Sequence, residues 1–228
     1  NNVVGNLRTG NHDLAINNLN KLMVKFKNYP FIFELYGDIY FAKGDFNKAI
    51  ENYKRAIKIL NSNSIGSTDL INFSLVKSLL QTNEVNNYKQ SIYILEELVK
   101  TNPRWSYLWR LLAKASGRIN QKGISYIALA EEALIKKNFL KARKYVNLAF
   151  KFPHLSKEYR LRGKDILFRT KEQRWKKNIK QDLQMDYICE SRIYTEKTLD
   201  MGIAPGGKMT HYIEKDHYEN NCWDLNNS

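Results

Sequence analysis

Residues Gly202-Ile-Ala-Pro-Gly-Gly207-Lys208-Met209 fall one residue short of the phosphate-binding pattern G-x-x-x-x-G-K-[ST]. In that pattern the loop amides and the lysine hold phosphate oxygens while the hydroxyl holds magnesium. Here Met209 occupies the hydroxyl position and Thr210 arrives one place late. A second group, His211, Glu214, Asp216, His217 and Cys222, contains only metal-ligating types, but its H-x5-H spacing followed by a lone cysteine fits no familiar ligand pattern. The chain has four histidines, His12, His154, His211 and His217, and none of them begins an H-E-x-x-H. Cys189 and Cys222 have no metal-type spacing, and one possible disulfide does not fix a redox compartment. The sequence therefore carries no complete catalytic motif, and no cofactor is expected in it.

A phosphate loop also needs a buried strand feeding a helix, and the preceding residues are patterned otherwise. In FELYGDIYFAKGDFNKAIENYKRAIKIL, residues 33–60, Phe33, Tyr36, Gly37 and Tyr40 recur at helical spacing. Gly44-Asp45 interrupts them, and Phe46, Ala49, Tyr53 and Ala56 resume. This is a helical hairpin, with Gly37, Ala49 and Ala56 where two helices must approach closely. One period upstream, Gly10, Asn11, Ala15, Ile16 and Leu19 take the places of Gly44, Asp45, Ala49, Ile50 and Tyr53. Residues 1–9 then read as the end of a first helix, as though the chain began inside a repeat of a longer protein. Further helices are expected over 68–82, 87–101, 105–117 (stopped at Gly117), 122–136, 139–152 and 156–170. Strand alternation is absent through this region.

The expectation is an all-α, tetratricopeptide-like right-handed solenoid of antiparallel hairpins over residues 1–170, because one hairpin cannot bury both of its faces. Residues 171–185 read as a capping helix or helix extension, with Trp175, Ile179 and Leu183 spaced to cover the terminal apolar face. Residues 186–228 are an irregular tail, and Pro205-Gly206-Gly207 within it reads as a turn.

Charge narrows the partners less than its size suggests. The net charge is +14, from 37 basic and 23 acidic residues. The segment after Thr170 holds 9 basic and 10 acidic residues, so the excess sits on the repeats. Its densest part, Lys136, Lys137, Lys141, Arg143, Lys144 and Lys151 continued by Lys157, Arg160, Arg162 and Lys164, reads as a solubilising helix face. No series of aromatics accompanies it to stack bases, so nucleic acid is not expected. No apolar run has the length of a membrane span.

The stretch 109–150 is more distinctive than a generic repeat. Trp109-Arg110-Leu111-Leu112-Ala113, then Ala128-Leu129-Ala130-Glu131, then Ala142 and Ala149, together with YRLRGKDIL at 159–167, carry it. Over about residues 12–170 the chain resembles the C-terminal tetratricopeptide region of bacterial HExxH zinc metallopeptidases of the β-barrel assembly-enhancing type, relatives of the HtpX-like gluzincins. The resemblance implies a periplasmic or cell-envelope protein in which this region engages substrates or the outer-membrane assembly machinery. The zinc would belong to a catalytic domain that this chain lacks. The alternative is a stand-alone adaptor or scaffold without a protease, which would be cytoplasmic. In such hairpins the first helix lines the concave groove, which makes Glu34, Asp38 and Phe41, with Tyr107, Arg110, Lys114 and Arg118, the expected contacts for a protein or peptide. Glu34 and Asp38 stand where a carboxylate-clamping groove would carry lysine and asparagine, which disfavours a chaperone-tail ligand.

Overall fold

The computed structural model of the protein describes residues 2–63 and 66–171, and every regular element among them is an α-helix. In chain order these are α1 (Asn2–Arg8), α2 (His12–Lys25), α3 (Pro30–Ala42), α4 (Phe46–Asn63) and α5 (Asp69–Leu79). They continue as α6 (Val85–Thr101), α7 (Ser106–Arg118), α8 (Lys122–Ile135) and α9 (Phe139–Ala149), followed by α10 over residues 157–171. Residues 1–170 form one unit and 171–228 another. Beyond Lys171 the second unit lies outside the described residues. So do the expected cap at 171–185 past its first residue, the tail with its Gly202–Met209 loop, the His211 group and both cysteines.

The corners between helices are the repeating device. After α3, Gly44 takes φ +78°, and the next amide, on Asp45, donates to the Tyr40 carbonyl at 2.9 Å. This is the left-handed closure that satisfies the last carbonyls of a helix and reverses the chain. It recurs after α1, where Asn11 bonds Asn6, and after α7, where Gln121 bonds Ser116. A fourth copy follows α8, where Asn138 bonds Ala133. The left-handed residues there are Gly10, Asn120 and Lys137. Gly117, expected to stop α7, does not: the helix runs past it, and Asn120 makes the turn. At the start of the next helix Asp45 accepts the Lys48 amide at 3.2 Å, and Asn138 accepts that of Lys141 at 3.1 Å.

Between α3 and α4 the small residues act as the pattern implied. Ala49 and Ala56 are fully buried, and Gly37 lies directly beneath the Tyr53 ring. The buried residues form three successive clusters, over α1–α5, α5–α8 and α8–α10. Helices α5 and α8 each contribute to two of them, so the core runs continuously along the unit.

Helix α8 departs from a plain stack of hairpins. Two helices separate the closures at Gly10 and Gly44, but only one, α8, separates those at Asn120 and Lys137. It is the second helix of one hairpin and the first of the next. Its surface is covered accordingly: Gly123, Ile127, Ala128, Ala130, Glu131, Glu132, Ala133 and Leu134 are all buried. Helix α10 reaches back over several predecessors. Tyr159 donates to Glu96 on α6 at 2.5 Å, and Arg162 bonds Glu131 on α8 at 3.0 Å. The Arg162 guanidinium also lies 4.9 Å from the centroid of the Trp109 ring on α7.

Candidate partner-binding surface

The first helices of three successive hairpins are α3, α5 and α7. On α3, Glu34, Asp38 and Phe41 share one face and are half-buried. Asp38 accepts a hydrogen bond from the Tyr53 hydroxyl of α4 at 2.6 Å. Burial, then that bond, pushes the Tyr53 hydroxyl far above its ordinary pKa, so it remains a donor. Burial also raises the Glu34 carboxyl, with the Asp38 charge one turn away adding to it. Phe41 meets Phe46 edge-on at 5.6 Å.

On α5 the chain places Phe73 and Lys77 beside this face. The Lys77 ammonium lies 5.3 Å from the Phe41 centroid and 5.2 Å from that of Phe73, bridging α3 to α5 through two aromatic rings. Phe73 continues to α7: it packs 4.7 Å from Trp105 and meets Tyr107 edge-on at 5.9 Å. A row of rings and one cation thus crosses three helices, from Phe41 through Lys77 and Phe73 to Tyr107.

The remaining α7 residues divide. Arg110 directs Nε and Nη2 to one oxygen of Glu132 on α8, at 2.9 and 2.5 Å, and Lys136 reaches the same oxygen at 2.5 Å. Burial works against the Glu132 carboxylate, yet the bonds and charges of Arg110 and Lys136 outweigh it and hold its pKa below the ordinary range. Arg110 is therefore committed to positioning α8 as well as standing on the α7 face, while Lys114 and Arg118 are exposed. For its neighbour Glu131 burial prevails over Arg162, and the carboxyl is raised. Arg162, Lys136 and Arg160, read from sequence as part of a solvated basic face, are structural. Arg160 donates to the carbonyls of Phe152, Pro153 and Leu155, closing the turn into α10.

Phe73 and Lys77 were not among the expected contacts, because the α5 hairpin departs from the repeat spelling, and neither was Trp105, which immediately precedes α7. The sequence offered only Asn83 as one polar residue among several in the turn; in the structure it takes φ +59°, and aligning it with Gly44 puts Phe73 and Lys77 in register with Glu34 and Asp38. Among the described residues no three His, Cys, Asp or Glu side chains gather as a metal-ligand set, and no helix is long and apolar enough to cross a membrane.

Compared with known proteins, residues 37–64 match the TPR repeat. No curated protein matches the chain. The architecture is an all-α, TPR-like solenoid, and its class is that of protein–protein interaction modules.

Proposed function

We propose that this solenoid binds an extended protein segment along the face formed by α3, α5 and α7. The observation that supports it most directly is the unbroken Phe41–Lys77–Phe73–Tyr107 row. Aromatic rings offer contact area at little entropic cost, and a cation among them orients an acidic or carbonyl-rich backbone. Glu34, Asp38, Arg110, Lys114 and Arg118 flank the row and would set register and sign. The test is selection of peptides from a random display library on the purified chain, followed by binding to Phe73→Ala and Tyr107→Ala. Affinity should fall about tenfold or more in each variant. Affinity in both variants equal to that of the unmodified chain would place the site elsewhere.

The finer reading is that this surface serves a periplasmic zinc metalloendopeptidase of outer-membrane protein quality control, as its non-catalytic part. The resemblance over residues 109–150 supports it. The coding frame upstream of Asn1 should then encode an H-E-x-x-H within a few hundred codons, on the scale of one or two domains. A start codon immediately upstream would leave a stand-alone adaptor.

A further inference from the structure

We propose that the corner joining α2 to α3, with the basic cleft beside it, docks the protein on an anionic lipid surface. Three aromatic side chains stand out from this corner: Phe26, Tyr29 and Phe31 are 54%, 52% and 43% exposed. They touch one another in a row, 6.2 Å from Phe26 to Tyr29 and 5.3 Å from Tyr29 to Phe31. Leu22, also exposed and one turn before Phe26, extends the apolar surface along the last turn of α2. A contiguous exposed patch of this kind marks an interaction site rather than ordinary surface.

The two chain segments that meet at the patch carry charges of one sign. Residues 14–33 contain Lys21, Lys25 and Lys27 and no acid, and residues 52–68 contain Lys54, Arg55 and Lys58 and no acid. The fold brings the two acid-free segments together. Asn28, in the chain between Phe26 and Tyr29, shares with Lys54, Arg55 and Lys58 an open cleft of about 580 Å³. Ser62 and Asn63 also line it, but they already donate to the carbonyls of Lys58 and Ile59, which leaves the cations to recognise a ligand. The Arg55 guanidinium lies 4.1 Å from the centroid of the buried Phe33 ring, which fixes its plane. By helix register the bordering carboxylates are Glu34, one turn from Phe31, and Glu51, one turn from Arg55.

Rings that project from a corner amid lysines suit insertion at the headgroup level of a bilayer, where an amphipathic ring finds both of its environments. A bound peptide would instead require the rings to line a slot. The cleft has the volume and charge to hold an anionic headgroup, and each cation near such a surface strengthens attachment severalfold. This is attachment at the interface, in keeping with the lack of a spanning helix among the described residues.

Co-sedimentation of the purified chain with vesicles tests the proposal. The chain should pellet with phosphatidylcholine containing roughly one third phosphatidylserine, and not with phosphatidylcholine alone. Raising salt from about 0.1 to about 0.5 M should release it. Lys54→Glu with Lys58→Glu, and separately Phe26→Ser with Tyr29→Ser, should each lower partitioning about tenfold or more, with helicity unchanged by circular dichroism. Lys141→Glu with Lys144→Glu makes the same charge change on α9 and should keep binding within about twofold. An equal loss in that control assigns the effect to net charge and overturns the proposal, as does the absence of binding to anionic vesicles. Binding of polyglutamate in place of vesicles, abolished by the same variants, overturns it in favour of an acidic polypeptide.

Discussion

Replacing Gly37 by alanine tests the packing on which the best-formed repeat depends. A Cβ built at Gly37 lies 2.5 Å from Cε1 of Tyr53, 2.7 Å from Cδ1 and 2.8 Å from Cζ. Carbon atoms in contact rest about 3.5–4.0 Å apart, so the ring would have to retreat by about 1 Å. It has little room, because Tyr53 is 2% exposed, and its hydroxyl is tied to Asp38 at 2.6 Å. Overpacking of this kind costs about 1–3 kcal/mol, and loosening the hydrogen bond adds about 0.5–1.5 kcal/mol. Alanine recovers about 1 kcal/mol through helix propensity. The net loss is about 0.5–3.5 kcal/mol, which lowers the melting midpoint of a unit this size by roughly 2–10 °C. Thermal unfolding followed by far-UV circular dichroism measures it. Gly117→Ala is the matched comparison, since its new methyl would meet only Ser125 Oγ at an ordinary 3.5 Å. That variant should be neutral or slightly more stable. In a Tyr53→Leu background the cost of Gly37→Ala should shrink, which a double-mutant cycle resolves. A midpoint for Gly37→Ala equal to or above that of the unmodified protein would refute the argument.

Two further outcomes follow from the α8 environment. The Glu132 pKa is lower folded than unfolded, so its stabilisation is complete above the ordinary carboxylate pKa and is lost as pH falls through the folded value. The Glu131 pKa is raised, so its contribution is complete below the ordinary value and is lost as pH rises through the folded one. Between about pH 5 and 3 the fall in urea midpoint should therefore be smaller for Glu132→Gln than for the unmodified protein, and larger for Glu131→Gln. Lys137 holds φ +58°, a conformation that costs a residue with a side chain about 1 kcal/mol and costs glycine little. Lys137→Gly should therefore raise the urea midpoint, by an amount equivalent to about 0.5–1 kcal/mol.

What could be read from the sequence was local. The period from Gly10 to Gly44, the apolar stripes and the small residues at Ala49 and Ala56 are each visible within a few turns of helix, and they yield the helix order nearly unchanged. Corners made by Asn120 and Lys137 are not visible in the same way, because a left-handed asparagine or lysine looks like any polar surface residue, whereas the conspicuous Gly117 remains helical. The bonds from Tyr159 to Glu96 and from Arg162 to Glu131 join residues far apart in the chain, and no periodicity encodes them.

These less visible features share one cause. Because only α8 lies between the last two closures, it must be buried on both sides, and its buried carboxylates then need cationic partners, one of which comes from outside both of its hairpins. Arg110 and Lys136 supply them for Glu132, and Arg162 for Glu131. That requirement draws α10 back across α6, α7 and α8, and it takes Arg110 partly out of the binding face. The aromatic row from Phe41 to Tyr107 is built instead from side chains that bridge successive first helices with no carboxylate partner required. A ligand on that row therefore competes with water, and at Arg110 it must also compete with Glu132, so truncating Tyr107 should weaken binding more than truncating Arg110 does.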